Sequence, residues 1–245
     1  MHRRSFLVGG PLAAVIALLA SGAAQAQVLG QYNVLGLSGT PASAPASNVA
    51  SGLSFSSLLR GPGLTVPTAT NNAFNSSGFN NTTTTLDISS DDYVEFIVTN
   101  SSPATQTITF DSIVLATQRS GTGPALVALA ADLGGGFTSA SVFGTIAPTN
   151  GSTATDTISM GGATFTSVAA STIRFRLYGY NASATGGTFR ISGTGSPTGL
   201  VVNGTVNTIT PGPGPTTAPE PGTLALLGLG GIGMVGVVAR KRKAN

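Results

Sequence analysis

Five side chains in the second half of the chain have the types to form one polar surface, provided their strands are neighbours: Arg174, Arg176, Tyr178, Tyr180 and Arg190. Arg174, Arg176 and Tyr178 alternate with Ile173, Phe175 and Leu177, so an extended strand puts guanidinium and phenol on one face and hydrocarbon on the other. Arginine forks and tyrosine rings suit sugars or an anionic polysaccharide. The alternative is a solvated sheet face on which the arginines pair with Asp or cover apolar neighbours. Arg119, just before a glycine-proline turn, reads as a brace for that loop. A second group, Asp87, Asp91, Asp92 and Glu95, supplies the hard oxygens that calcium takes, but it lacks the spacing of an EF-hand loop. Asp91-Asp92 reads better as a polar turn leading into a strand at Tyr93.

What is missing narrows the chemistry further. The chain of 245 residues has no Cys and no Trp, and its one histidine is His2. Thiolate nucleophiles and Cys-ligated metals are therefore excluded, and removal of the N-terminus would exclude imidazole chemistry too. A glycosidase needs two carboxylates converging across a cleft, and seven scattered acids with no tryptophan platform argue against it. No catalytic residue, metal ligand or cofactor site is expected.

Charge location removes another class. The formal charge of +3 comes from the ends, where Arg3 and Arg4 open the chain and Arg240, Lys241, Arg242 and Lys243 close it. Between Gln27 and Ala218 five arginines face seven carboxylates, leaving −2. A weakly acidic body has no footprint for a phosphate backbone, so nucleic acid is not a partner.

Residues 1–26 follow the three-part plan of a secretory signal: Arg3-Arg4, an apolar run from Phe6 to Ala20, then Ala24-Gln25-Ala26. Cleavage by signal peptidase between Ala26 and Gln27 is the expectation, and an uncleaved anchor is the alternative. Arg3-Arg4-Ser5-Phe6-Leu7 is similar to a twin-arginine export signal, and an ordinary basic leader reads the same residues equally well. At the other end, Thr223 to Ala239 is uncharged and is stopped by Arg240–Lys243. As a helix rising ~1.5 Å per residue it reaches about 26 Å, enough for a thin bilayer. The basic tail would hold the C-terminus in the cytoplasm. Gly228-Leu229-Gly230-Gly231-Ile232-Gly233 fits G-x-G-x-x-G, but the chain ends too soon after it for a dinucleotide fold.

Pro219-Glu220-Pro221, the hydrophobic segment 223–239 and the basic tail 240–243 stand in that order. This arrangement resembles the PEP-CTERM sorting signal of bacterial exported proteins. The resemblance implies recognition by an exosortase, transient anchoring in the inner membrane by the C-terminal helix, and an envelope or extracellular destination. Pro219, Glu220 and Pro221 would be the sorting motif and not catalytic residues.

Residues 210–218, rich in Pro and Gly, read as an extended spacer. That divides the chain into a signal peptide (1–26), a body (27–209), the linker (210–218) and the sorting segment (219–245). The body alternates as strands do. Val94, Phe96 and Val98 share one face, Phe189 and Ile191 flank Arg190, and further runs lie near 54–59, 107–116, 125–131, 140–146, 155–160 and 200–209. Of these, only 125–132 competes as a helix. Turn residues punctuate them at 100–103, 120–124, 148–151 and 185–187. An all-β, antiparallel, jelly-roll-like sandwich is expected.

Arg119-Ser120-Gly121-Thr122-Gly123-Pro124, Phe175-Arg176-Leu177-Tyr178-Gly179-Tyr180-Asn181, Gly187-Thr188-Phe189-Arg190-Ile191 and Val202-Asn203-Gly204-Thr205-Val206 resemble a recurrent domain of PEP-CTERM proteins. That domain is similar to jelly-roll, galactose-binding-like sandwiches. The chain departs from it where Leu133-Gly134-Gly135-Gly136 separates Asp132 from Phe137, and where Ser192-Gly193-Thr194-Gly195 replaces an acidic turn. The expected function is that of a non-enzymatic exported protein, structural or adhesive, linked to exopolysaccharide or biofilm. The alternative is a carbohydrate-binding module on the sandwich.

Overall fold

The computed structural model describes residues 26–209, apart from 38–39, 81, 134–136, 138–139 and 166–171. Ala24, the Pro219-Glu220-Pro221 triplet, the segment 223–239 and the basic tail lie outside the described residues. No helix among the described residues is long and apolar enough to cross a membrane.

The described residues form two antiparallel sheets and no helix. The strands are β1 (Gln27–Asn33), β2 (Ser43–Ala44), β3 (Leu53–Phe55), β4 (Leu58–Arg60), β5 (Ala73–Ser77), β6 (Tyr93–Asn100) and β7 (Gln106–Arg119). They continue with β8 (Leu126–Leu133), β9 (Ser141–Ile146), β10 (Ala154–Phe165), β11 (Thr172–Tyr180), β12 (Thr188–Ser192) and β13 (Gly199–Thr208). One sheet runs β1-β13-β7-β12-β5, with β10 also on β7. The other runs β2-β4-β6-β11-β8-β9, with β3 also on β6. Most pairing partners are distant in the chain, as in β1 with β13 and β6 with β11, whereas β8 pairs with the strand that follows it.

The longest strand, β7, organises its sheet. It pairs with β13 over Gln106–Leu115, with β12 over Thr117–Arg119 and with β10 over Ile108–Thr117. β10 continues past the expected 155–160 to Phe165, because Gly161 and Gly162 at positive φ absorb a register shift between Ser159 and Ala163. The 125–132 segment is β8 and not a helix, since both its edges are paired, to β11 and β9. The 54–59 run is split into β3 and β4, both held by β6.

The inward faces supply the core. Phe175 stacks on Phe96 at 4.9 Å and meets Phe110 edge-on at 5.1 Å, while Tyr32 and Phe55 extend the cluster from Phe96. Such ring pairs add about 0.5–1.5 kcal/mol each beyond their area burial. Tyr32 is wholly buried and donates its hydroxyl to Ser56 O at 2.8 Å. Burial pushes that phenol far above its ordinary range, so it stays neutral. Gly30 leaves room for the Phe55 ring, which a Cβ there would meet at 2.6 Å.

Candidate functional site

On β11 the alternation read from the sequence holds: Ile173, Phe175 and Leu177 are buried in the core, and Arg174, Arg176 and Tyr178 point to the other face of the sheet. Register sets their neighbours. Arg176 stands between Glu95 of β6 and Ala130 of β8, and Tyr178 between Tyr93 and Ala128. Glu95 therefore receives both arginines, Arg174 Nη1 at 3.0 Å and Arg176 Nε at 2.8 Å.

Arg176 is largely enclosed. Its Cζ lies 3.9 Å from the ring centroid of Tyr93 and 4.1 Å from that of Phe137, and Nη1 donates to the Tyr178 hydroxyl at 3.3 Å. Burial alone would pull its pKa down, but the hydrogen bonds to Tyr178 and Glu95 outweigh it and hold the guanidinium above its ordinary value. The two phenols, Tyr93 and Tyr178, are pushed up by burial. Tyr178 donates to Ile88 O at 2.9 Å, which fastens the 78–92 connection onto the sheet. Phe137 is held by its own amide, which donates to the buried Asp132 carboxylate. The result is a second, smaller apolar cluster of Tyr93, Ala130 and Tyr178, roofed by Leu86, Ile88, Phe137 and Ala140.

The five residues grouped from the sequence are thus divided. Arg174, Arg176 and Tyr178 come together, with their charges and hydroxyl engaged by the protein. Tyr180 ends the same strand, half-buried opposite Leu126. Arg190 lies on β12 in the other sheet, opposite Gln118 and Asn75. Sequence reading placed Glu95 with the acids and left Phe137 in a glycine-rich connection, because neither β6–β11 register nor the closure of that connection can be read from spacing.

The acids are also separated by local tasks. Asp87 Oδ1 accepts from the amide and hydroxyl of Ser89, which lowers its pKa. Asp92 is raised, chiefly by burial. Asp156 accepts from the Thr117 hydroxyl. Among the described residues no group of three or more His, Cys, Asp or Glu side chains is placed to hold a metal.

A different polar concavity opens at the end of β7. Gln118, Arg119, Asn150 and Arg190 line a surface cleft of about 250 Å³ with the Ser120-Gly121 turn and Thr188. Its walls are cross-tied: the Arg119 amide donates to Thr149 O, Gly151 N to Arg119 O, and Ser120 N to Thr188 O, each at 3.0 Å. The turn is pressed onto the 185–188 loop so closely that a Cβ on Gly123 would lie 2.1 Å from Thr188 O. Arg119 does brace this loop, donating Nε to Pro148 O at 3.0 Å and Nη1 to Ser120 O at 3.3 Å.

Fold and surface define an antiparallel β-sandwich with two arginine-bearing surfaces, one closed by its own loops and one open as a cleft. Beyond the body, residues 217–243 match the PEP-CTERM protein-sorting motif. The chain thus carries the sorting signal of exported proteins, and domains bearing that signal are exosortase substrates, which supports exosortase as its partner. The signal directs it to the cell envelope. No curated protein matches the chain.

Proposed function

We propose that the sandwich is the working part of a non-enzymatic, structural or adhesive protein of the extracellular matrix, associated with exopolysaccharide or biofilm. The inner-membrane anchor would serve only until exosortase removes it. The observation that carries this reading is the sorting motif at 217–243 behind an all-β body. Two features of the body support it. The sequence between Gln27 and Ala218 contains no imidazole or thiol, and the best-placed carboxylates are spent on structure: Glu95 on two arginines, Asp132 on the Phe137 amide, Asp156 on Thr117. A surface built mainly from Thr, Ser and Asn remains hydrated with few charges, which suits a protein embedded in hydrated polymer.

Fractionation of the native host tests the proposal. The processed protein should be recovered with the extracellular polymer, and mass spectrometry should find both termini trimmed. Full-length protein confined to the cytosol would refute it.

A further inference from the structure

The cleft at the end of β7 has a donor set that the fold leaves unused. Arg190 donates Nη2 to Gln118 Oε1, and its buried Nε has no partner, so the protein satisfies this guanidinium incompletely while it lines the cleft. Burial lowers this guanidinium's pKa, a sign that its charge is poorly compensated by the protein. Arg119 is fixed through Nε and Nη1 to backbone carbonyls, which orients the remaining edge of its guanidinium without neutralising it. Ser120 Oγ accepts from the Thr188 amide at 2.8 Å and keeps its own proton to donate. Among the described residues, none that lines the cleft is acidic. Two cations with no counter-charge, in a fixed frame, make an anion site on chemical grounds.

We infer that this cleft, with Arg119 and Arg190 as its paired cations and Asn150 and Ser120 as hydroxyl-directed groups, binds one uronate residue of an acidic polysaccharide through the sugar's carboxylate. The size limits the occupant: about 250 Å³ is below the ~300–1,000 Å³ of pockets for drug-sized ligands, which fits a single sugar residue. The lining also limits the type of anion. Guanidinium forks match a planar carboxylate, while an amide and a hydroxyl beside them match sugar hydroxyls. The face containing Arg174 and Arg176 differs in having an acid of its own, because Glu95 pairs with both guanidiniums there. The inference rests on the matrix reading only for where such a polymer is met.

The test is calorimetric titration of the exported protein, purified from its host, with a galacturonate oligomer. Saturable binding that weakens with added salt is expected, and the methyl-esterified oligomer should bind at least tenfold more weakly. Arg190→Gln should reduce affinity by a similar factor. Gly121→Phe tests occupancy without touching a charge, because a Cβ there meets only the Asn150 side chain at 3.8 Å. It should block the cleft and leave the melting temperature unchanged. Arg174→Gln should bind as the parent does. Absence of binding, equal binding of the ester, or retention of affinity in both cleft variants would overturn the inference. Inorganic phosphate binding as tightly as the oligomer would overturn the sugar assignment. Recovery of unprocessed protein in the cytosol would sink the matrix reading instead, whatever the titration gave.

Discussion

Glu95 accepts a hydrogen bond from Arg176 Nε at 2.8 Å across the β6–β11 pair, and the same carboxylate holds Arg174. One acid thus serves two cations beneath a roof of loops. Glu95→Gln leaves both guanidiniums without a counter-charge, with side-chain exposures of only 29% and 14%. We expect a loss of about 1–3 kcal/mol in urea unfolding, the range for hydrogen bonds to charged groups with allowance for residual solvent. Adding Arg176→Met to Glu95→Gln should restore part of it, since a buried ion pair is often replaceable by packing.

Asp132→Ala should release Phe137 from Arg176. The amide of Phe137, a residue at positive φ, would lose its acceptor, at a cost of about 1.5 kcal/mol, the low end for a hydrogen bond to a charged group at a half-buried site. The chain has no Trp, so emission comes from its four tyrosines. Two of these, Tyr93 and Tyr178, sit in the affected cluster. A changed tyrosine spectrum with far-ultraviolet dichroism preserved is the expected signature.

Much of the sandwich was legible because strands with one wet and one dry face write that fact into alternation, as in Val94-Glu95-Phe96 and Ile173-Arg174-Phe175. β1 and β5 were not legible. Gln27–Asn33 has buried neighbours at Leu29 and Gly30, and Ala73–Ser77 buries Ser76 and Ser77, so neither shows a clean period of two. The arginines could be placed on a face from sequence, but their partners could not. Glu95 is 81 residues from Arg176, and only strand order makes them adjacent. Arg190 was grouped with them by type, and its assignment to the other sheet depends on β12 pairing with β5 and β7.

Gly123→Ala should be far more damaging than Gly121→Ala, although both lie in one turn. A Cβ on Gly123 would meet Thr188 O at 2.1 Å, whereas one on Gly121 meets nothing nearer than 3.8 Å. Backbone must move to relieve the first, so we expect a loss of about 1–3 kcal/mol, the range for overpacking. The second should change the melting temperature little. Thermal unfolding of the two variants side by side makes the comparison.

Asp87 and Asp92 should respond to acid with opposite signs. Asp87 is held below 3.8 by Ser89, so its contribution exists above that value and is lost as pH falls through its lower folded pKa. Asp92 is held above 3.8 by burial, so its charge is a penalty at neutral pH that is relieved as pH falls through its higher folded pKa. At pH 7, Asp87→Asn should therefore melt below the parent and Asp92→Asn above it. Both differences should vanish once the pH is well below 3.8. Melting temperatures measured from pH 7 to about pH 2 decide it, and like-signed shifts at neutral pH would contradict the assignment.

Glu220→Ala should block removal of the C-terminal segment in the native host. Within the matched motif, Glu220 is the single acid, set between Pro219 and Pro221. An enzyme reading such a segment has one charge to recognise. Loss of that charge should cost recognition without altering the sandwich, which ends at Thr208. The variant should accumulate in the membrane fraction with residues 223–245 still attached, detectable by mass spectrometry and absent from the parent. Glu220→Asp, which keeps the charge on a shorter arm, should be processed in part. Complete processing of the Ala variant would show that cleavage is directed by something other than this acid.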